Sequence, residues 1–152
     1  MNHATLAAKT RLAFAGEAAV PPLTLRGGNA MDDARPVPAF DAVADAVTDA
    51  YLEAFFWGAS SLDTRSWKHY LPCLVDYALR HLRESSLVVE ALIQSLRPPD
   101  RTPPRLAALT AEQQAVLTAL LDVLAFDEQS AHQDLASQAL EEWWAPGAIY
   151  RC

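Results

Sequence analysis

Few residues in this 152-residue sequence are spaced for chemistry. His69 and Cys73 stand four apart, which on a helix places an imidazole beside a thiol, the minimum for a cysteine nucleophile with its base. Trp67, Leu71, Leu74 and Val75 surround the pair with apolar groups, and such surroundings favour the neutral thiol. Cys73 therefore reads as a small buried hydrophobe. Glu128 and His132 are also four apart, with Asp127 and Asp134 close by. Neither H-E-x-x-H nor C-x-x-C occurs, so no metal is expected there. Gly27-Gly28 lacks the spacing and the preceding strand of a phosphate cradle. No G-x-S-x-G elbow is present, and nothing selects a pair among the many carboxylates for acid–base work. The residues predict a protein that is not an enzyme and holds no cofactor.

Charge is more informative. The net charge is −7, with 19 acids against 12 Lys and Arg. Phosphate binding needs clustered cations, so nucleic acid is an unexpected partner and a basic protein a natural one. The charge is also uneven. From Leu106 to Tyr150 there are seven acids and no Lys or Arg, whereas Tyr77 to Arg105 carries five arginines against three acids. Either these two segments neutralise each other across the fold, or the acids form a docking face that speeds association with a basic partner. The candidate face comprises Asp122, Asp127, Glu128, Asp134, Glu141 and Glu142. A second candidate stripe is Asp41, Asp45 and Asp49, which would share one side of a helix at i,i+4 spacing.

The elements that must position these groups are helical. Asp63 can cap a helix over which Trp67, Leu71, Leu74, Val75, Ala78, Leu79 and Leu82 recur on one face, widened by Tyr70, Cys73 and Tyr77. So broad an apolar face predicts a central helix over about 63–82, and Pro72 predicts a kink or break near His69. Before it, Thr5 to Phe14 reads as a short helix, and residues 21–39 as a long loop. That loop would hold an extended piece at Leu23–Arg26 and a turn at Gly27-Gly28-Asn29. Phe40 to Trp57 reads as helix, in two pieces if broken near Thr48-Asp49, where either residue can cap the second.

After it, Ser85 or Ser86 caps a helix with Leu87, Val88, Ala91, Leu92, Ser95 and Leu96 inward. Arg97 to Arg105 is a proline-rich linker of polyproline II type. Thr110 and Gln113 fit a capping box opening a helix to about Phe126. A last helix spans roughly Glu128 to Trp144, with one of Trp143 and Trp144 as core anchor and the other at the rim. The expectation is one all-α domain over 1–152, a compact bundle of five to seven helices. Two cysteines, Cys73 and Cys152, are too few for a disulfide framework and suit a reducing cytosol. Neither an apolar run of membrane-spanning length nor a secretory h-region is visible, so a cytoplasmic protein without a membrane partner is expected.

The runs Ser66-Trp67-Lys68-His69-Tyr70-Leu71-Pro72-Cys73-Leu74, Leu109-Thr110-Ala111-Glu112-Gln113 and Ala139-Leu140-Glu141-Glu142-Trp143-Trp144 resemble a small family of uncharacterised bacterial proteins. Its members pair an aromatic-Tyr-Leu-Pro helix with a Leu-Thr-x-x-Gln helix start and a C-terminal helix ending in Trp. The resemblance covers Thr5 to Trp144 and brings no established activity. Small acidic cytosolic proteins of this kind are often immunity proteins for secreted antibacterial toxins. With the acid-rich C-terminal third, the missing catalytic constellation and the cytosolic character, that association leads to an expected toxin or effector domain with a basic surface as partner, met by an acidic face. Two other expectations stand beside it. One is a small enzyme or ligand-binding domain whose pocket, lined by His69, Tyr70, Asp41, Asp45 and Asp49, lies between the central helix and the segment Leu23 to Phe40. The other is a structural homodimer joined at an exposed tryptophan edge.

Overall fold

A computed structural model describes residues 2–100 and 104–151. The helices are α1 (His3–Ala13), α2 (Leu25–Asp32), α3 (Asp49–Phe55), α4 (Thr64–Arg80), α5 (Leu87–Ser95), α6 (Ala111–Phe126) and α7 (Gln133–Ala139). A 3-10 turn, Phe56–Ser61, continues from α3, and a π-helical turn, Leu140–Trp144, extends α7. Six starts are fixed by a side chain that satisfies an amide left free in the first turn: Asn2, Thr24, Thr48, Asp63, Ser86 and Thr110. At Thr110 the exchange is reciprocal. Its hydroxyl accepts from the Gln113 amide at 3.1 Å, and Gln113 Oε1 accepts from the Thr110 amide at 3.0 Å.

The fold is an all-α bundle built on α4, against which α1, α5 and α6 pack. Trp67, Leu71, Val75 and Ala78 are fully buried on it, as the apolar periodicity predicts. Polar atoms taken inside have partners. Trp67 Nε1 donates to Ser95 Oγ at 3.1 Å, Lys68 Nζ to the Ala108 carbonyl at 2.7 Å, and Trp144 Nε1 to the Leu96 carbonyl at 2.7 Å. Trp144 is thus the core anchor and Trp143 the half-buried rim residue beneath Arg151. Among the described residues, no helix is long and apolar enough to cross a membrane. The centre of the proline-rich segment, 101–103, and Cys152 lie outside the described residues.

Four expectations need correction. First, the segment 21–39 is not one loop, because α2 occupies its middle and includes Gly27-Gly28-Asn29. Glycine is required there for close approach rather than for a turn. A Cβ on Gly28 would lie 2.5 Å from the Gly58 carbonyl oxygen, and one on Gly58 would press into the Leu25 carbonyl. The bare backbones of α2 and the 3-10 turn therefore sit directly on each other. Second, helix in the span 40–57 is confined to Asp49–Phe55 and the 3-10 residues that follow. Asp41 instead folds 41–46 into turns, its carboxylate accepting from the amides of Val43 and Ala44. Third, of the kink or break expected near His69 the break does not occur, because α4 runs through Pro72 as one helix. The buried residues on both sides of the proline hold the two halves on one core. Fourth, the last helix begins at Gln133, not near Glu128. Asp127 Oδ1 accepts from the Gln129 amide and Ser130 Oγ donates to the Leu124 carbonyl, local bonds that compete with a helical turn.

Candidate functional site

A groove of about 650 Å³ lies between the 3-10 turn, α5 and α7. Its lips are apolar: Trp57 is 63% exposed and Leu87 55%. Leu87, Ala91, Gln94 and Ser95 fall on one side of α5, and the small Ala91 keeps the floor low. Leu135 of α7 forms the opposite wall. Trp57 is carried outward by the 3-10 turn and rests on Phe56, ring centroids 4.6 Å apart. Arg105 closes one end. Its guanidinium donates to the carbonyls of Ala59 and Ser60 at 3.3 and 3.1 Å and lies 5.7 Å from the centre of the Trp67 ring. Beyond Glu90 and Leu135 a second hollow of about 270 Å³ opens towards Asp134.

Of the six predicted acids in the C-terminal third, Asp122, Glu128, Asp134 and Glu141 are exposed, and Asp127 and Glu142 are half-buried. Glu142 is neutralised. Arg97 Nε and Nη2 reach its two carboxylate oxygens at 2.7 and 3.1 Å, a forked pair that joins the arginine-bearing segment to the π-helical turn. Among the described residues the other five form no ion pair. Among the described residues, cross-fold neutralisation thus accounts for Glu142 alone of the six.

Asp41, Asp45 and Asp49 do not form a stripe, because the turns at 41–46 put them in three settings. Asp41 is exposed. Asp49 accepts from Arg80 Nη1 and Nη2 at 2.8 and 2.7 Å. Asp45 is buried, accepting from Arg26 Nε and Nη2 at 3.0 and 2.9 Å, from Tyr51 Oη at 2.9 Å and from the Asp41 amide at 2.9 Å. The Arg26 guanidinium beside it holds its carboxyl down at about 2. Nor do His69 and Tyr70 line a pocket with these acids. Tyr70 is buried, and its hydroxyl accepts from the Leu25 amide at 3.2 Å, so α2 fills the space. Tyr70 and Asp45 are neighbours only within this packed network, where burial raises the phenol's pKa.

His69 Nδ1 lies 2.6 Å from the Ala18 carbonyl oxygen, and among the described residues no hydrogen bond joins it to Cys73. The Cys73 thiol is pushed up by burial, the direction that keeps it protonated. His132 is likewise tied to backbone, its Nε2 2.9 Å from the Glu84 carbonyl oxygen. Among the described residues, no three metal-ligating side chains converge.

The groove itself escapes sequence reasoning. Leu87, expected on the inner side of α5, is exposed at its first turn, and Trp57 reads as the end of a helix rather than as a lip. The available signal was their chemistry: a tryptophan beside Gly58 and a leucine directly after the Ser86 cap are large apolar groups at element ends.

Neither a curated protein nor a solved structure matches the chain. A family model does, over residues 2–148: the chain belongs to DUF6714, a family of unknown function.

Proposed function

We propose that this protein is a non-enzymatic, cytosolic binding module, an immunity protein that neutralises an antibacterial toxin by laying an acidic surface over the toxin's basic one. One observation carries this reading: five of the six acids spread from Asp122 to Glu142 form no ion pair among the described residues, in a stretch of sequence without Lys or Arg. An ordinary soluble surface mixes both signs. Asp127, Glu128 and Asp134 lie at or beside the connection between α6 and α7, where their charges would attract a cationic partner. Such a face repels phosphate backbones and anionic lipid, which leaves a basic protein as the complementary partner.

Affinity capture of the tagged protein from its native cytosol, with mass spectrometry of the co-purifying material, tests the proposal. One stoichiometric partner with a basic domain is expected, and its toxic activity should fall when this protein is added. Reversing Asp127, Glu128 and Asp134 to lysine should slow association by about tenfold at low salt, with the difference shrinking as salt screens the charges. An unchanged association rate would remove this face as the site. A partner whose activity is indifferent to the protein would remove the immunity reading.

A further inference from the structure

We propose that the groove between the 3-10 turn, α5 and α7 is the docking site for a basic amphipathic helix of the partner protein. The inference rests on the basic partner proposed above and assigns its point of entry. Three features select that occupant. The lips are apolar and Ala91 and Leu135 extend that surface inward, and Trp57 and Leu87 leave more than half of their surface in water, a state that a packed apolar side chain would relieve. The rim beside them is anionic: Glu90 lines both hollows, Asp134 stands at the far one, both are exposed, and neither forms an ion pair among the described residues. The cation at the groove, Arg105, is turned into the Ala59 and Ser60 carbonyls at one end.

Backbone chemistry chooses the helix. The long walls are helical, so their amides and carbonyls are already bonded within each element and offer an extended peptide no ladder to join. A helix brings its own backbone bonds and presents apolar groups at i, i+3, i+4 and i+7. The wall from Leu87 to Ser95 is about 12 Å long, enough for roughly two turns. A second copy of this chain is a poorer occupant, because it would bring further acids to an acidic rim.

The probe is a 14-residue leucine–lysine peptide with its leucines at helical spacing, together with the same peptide bearing glutamate at every lysine. Both are titrated into the full-length protein at low salt, following the Trp57 indole resonance, assigned by Trp57→Phe. The leucine–lysine peptide should shift that resonance and the leucine–glutamate peptide should not. Leu87→Ser, at an exposed position, should leave the melting temperature unchanged and weaken binding by about tenfold. Glu90→Gln should weaken it by about threefold. An unshifted Trp57 resonance, equal binding by the Leu87→Ser variant, or equal binding of the two peptides would overturn the proposal. So would a concentration-dependent dimer that Leu87→Ser dissolves, since the groove would then belong to a second copy. Capture of the native partner separates the two proposals. Loss with Asp127→Lys/Glu128→Lys but not with Leu87→Ser sinks the groove alone, and the converse sinks the acidic face alone.

Discussion

Replacing Asp45 with asparagine should destabilise the protein in a pH-dependent way that no surface acid would reproduce. Asp45 gathers both Arg26 nitrogens, the Tyr51 hydroxyl and the Asp41 amide around a carboxylate with no exposed side-chain surface. Asparagine keeps the shape but removes the charge and turns one acceptor into a donor facing donors. The folded carboxyl titrates at about 2, against an ordinary value of 3.8. That depression corresponds to about 2 kcal/mol of stability at neutral pH. Because the folded value lies below the unfolded one, the contribution is complete well above pH 4 and is lost as pH falls from about 4 towards 2. About 1 kcal/mol of it should remain at pH 3. Urea unfolding of the wild type and Asp45→Asn at pH 7 and pH 3 measures the difference directly, and the other carboxylates cancel between the two proteins. The expected gap is about 2 kcal/mol or more at pH 7, narrowing by about 1 kcal/mol at pH 3. A gap of equal size at both pH values, or none at pH 7, would refute the assignment of Asp45 as the charged centre of this network.

Gly58→Ala should cost about 2–3 kcal/mol, because its Cβ would meet the Leu25 carbonyl and the Asn29 amide, both backbone. Gly16→Ala, with no neighbour within 4 Å, should be neutral or stabilising by up to about 1 kcal/mol, and thermal unfolding of the two variants checks the contrast. Thr110→Ala removes the capping box of α6 and should lower stability by about 1 kcal/mol in urea titration. The Cys73 thiol, raised by burial, should react with a disulfide reagent at pH 7 at least about tenfold more slowly than in the urea-unfolded chain; equal rates would contradict its place on α4.

The central helix was legible in the sequence because its information is local. Asp63 caps it and the run from Trp67 to Leu82 buries one broad face, so periodicity alone places these residues. The same holds for Thr110 and Gln113, three residues apart, and for the Thr48 and Ser86 caps. Of the kink or break that Pro72 predicts, the break does not occur. A proline removes one donor, but a break also requires the packing on both sides to let go, and Leu71 and Val75 are fully buried. Gly27-Gly28 was misread for a related reason. Two glycines carry a turn signal in isolation, and only the backbone of Gly58, thirty residues away, turns them into the floor of a helix contact.

By itself, then, the sequence determined the helical class, most of the helix starts, the identity of the core face of α4 and the acid-rich, cation-free C-terminal third. Each follows from neighbours within a few positions or from simple composition. Tertiary structure decided which charges are spent. Asp45 goes to Arg26, Asp49 to Arg80 and Glu142 to Arg97, partners 19, 31 and 45 residues apart that no i,i+4 rule pairs. It also decided that His69 and Tyr70 are occupied in packing, and that Trp57, Leu87 and Leu135 face one groove. A groove belongs to no single element: it is the space left when the 3-10 turn, α5 and α7 settle on the core, and only their packing defines it.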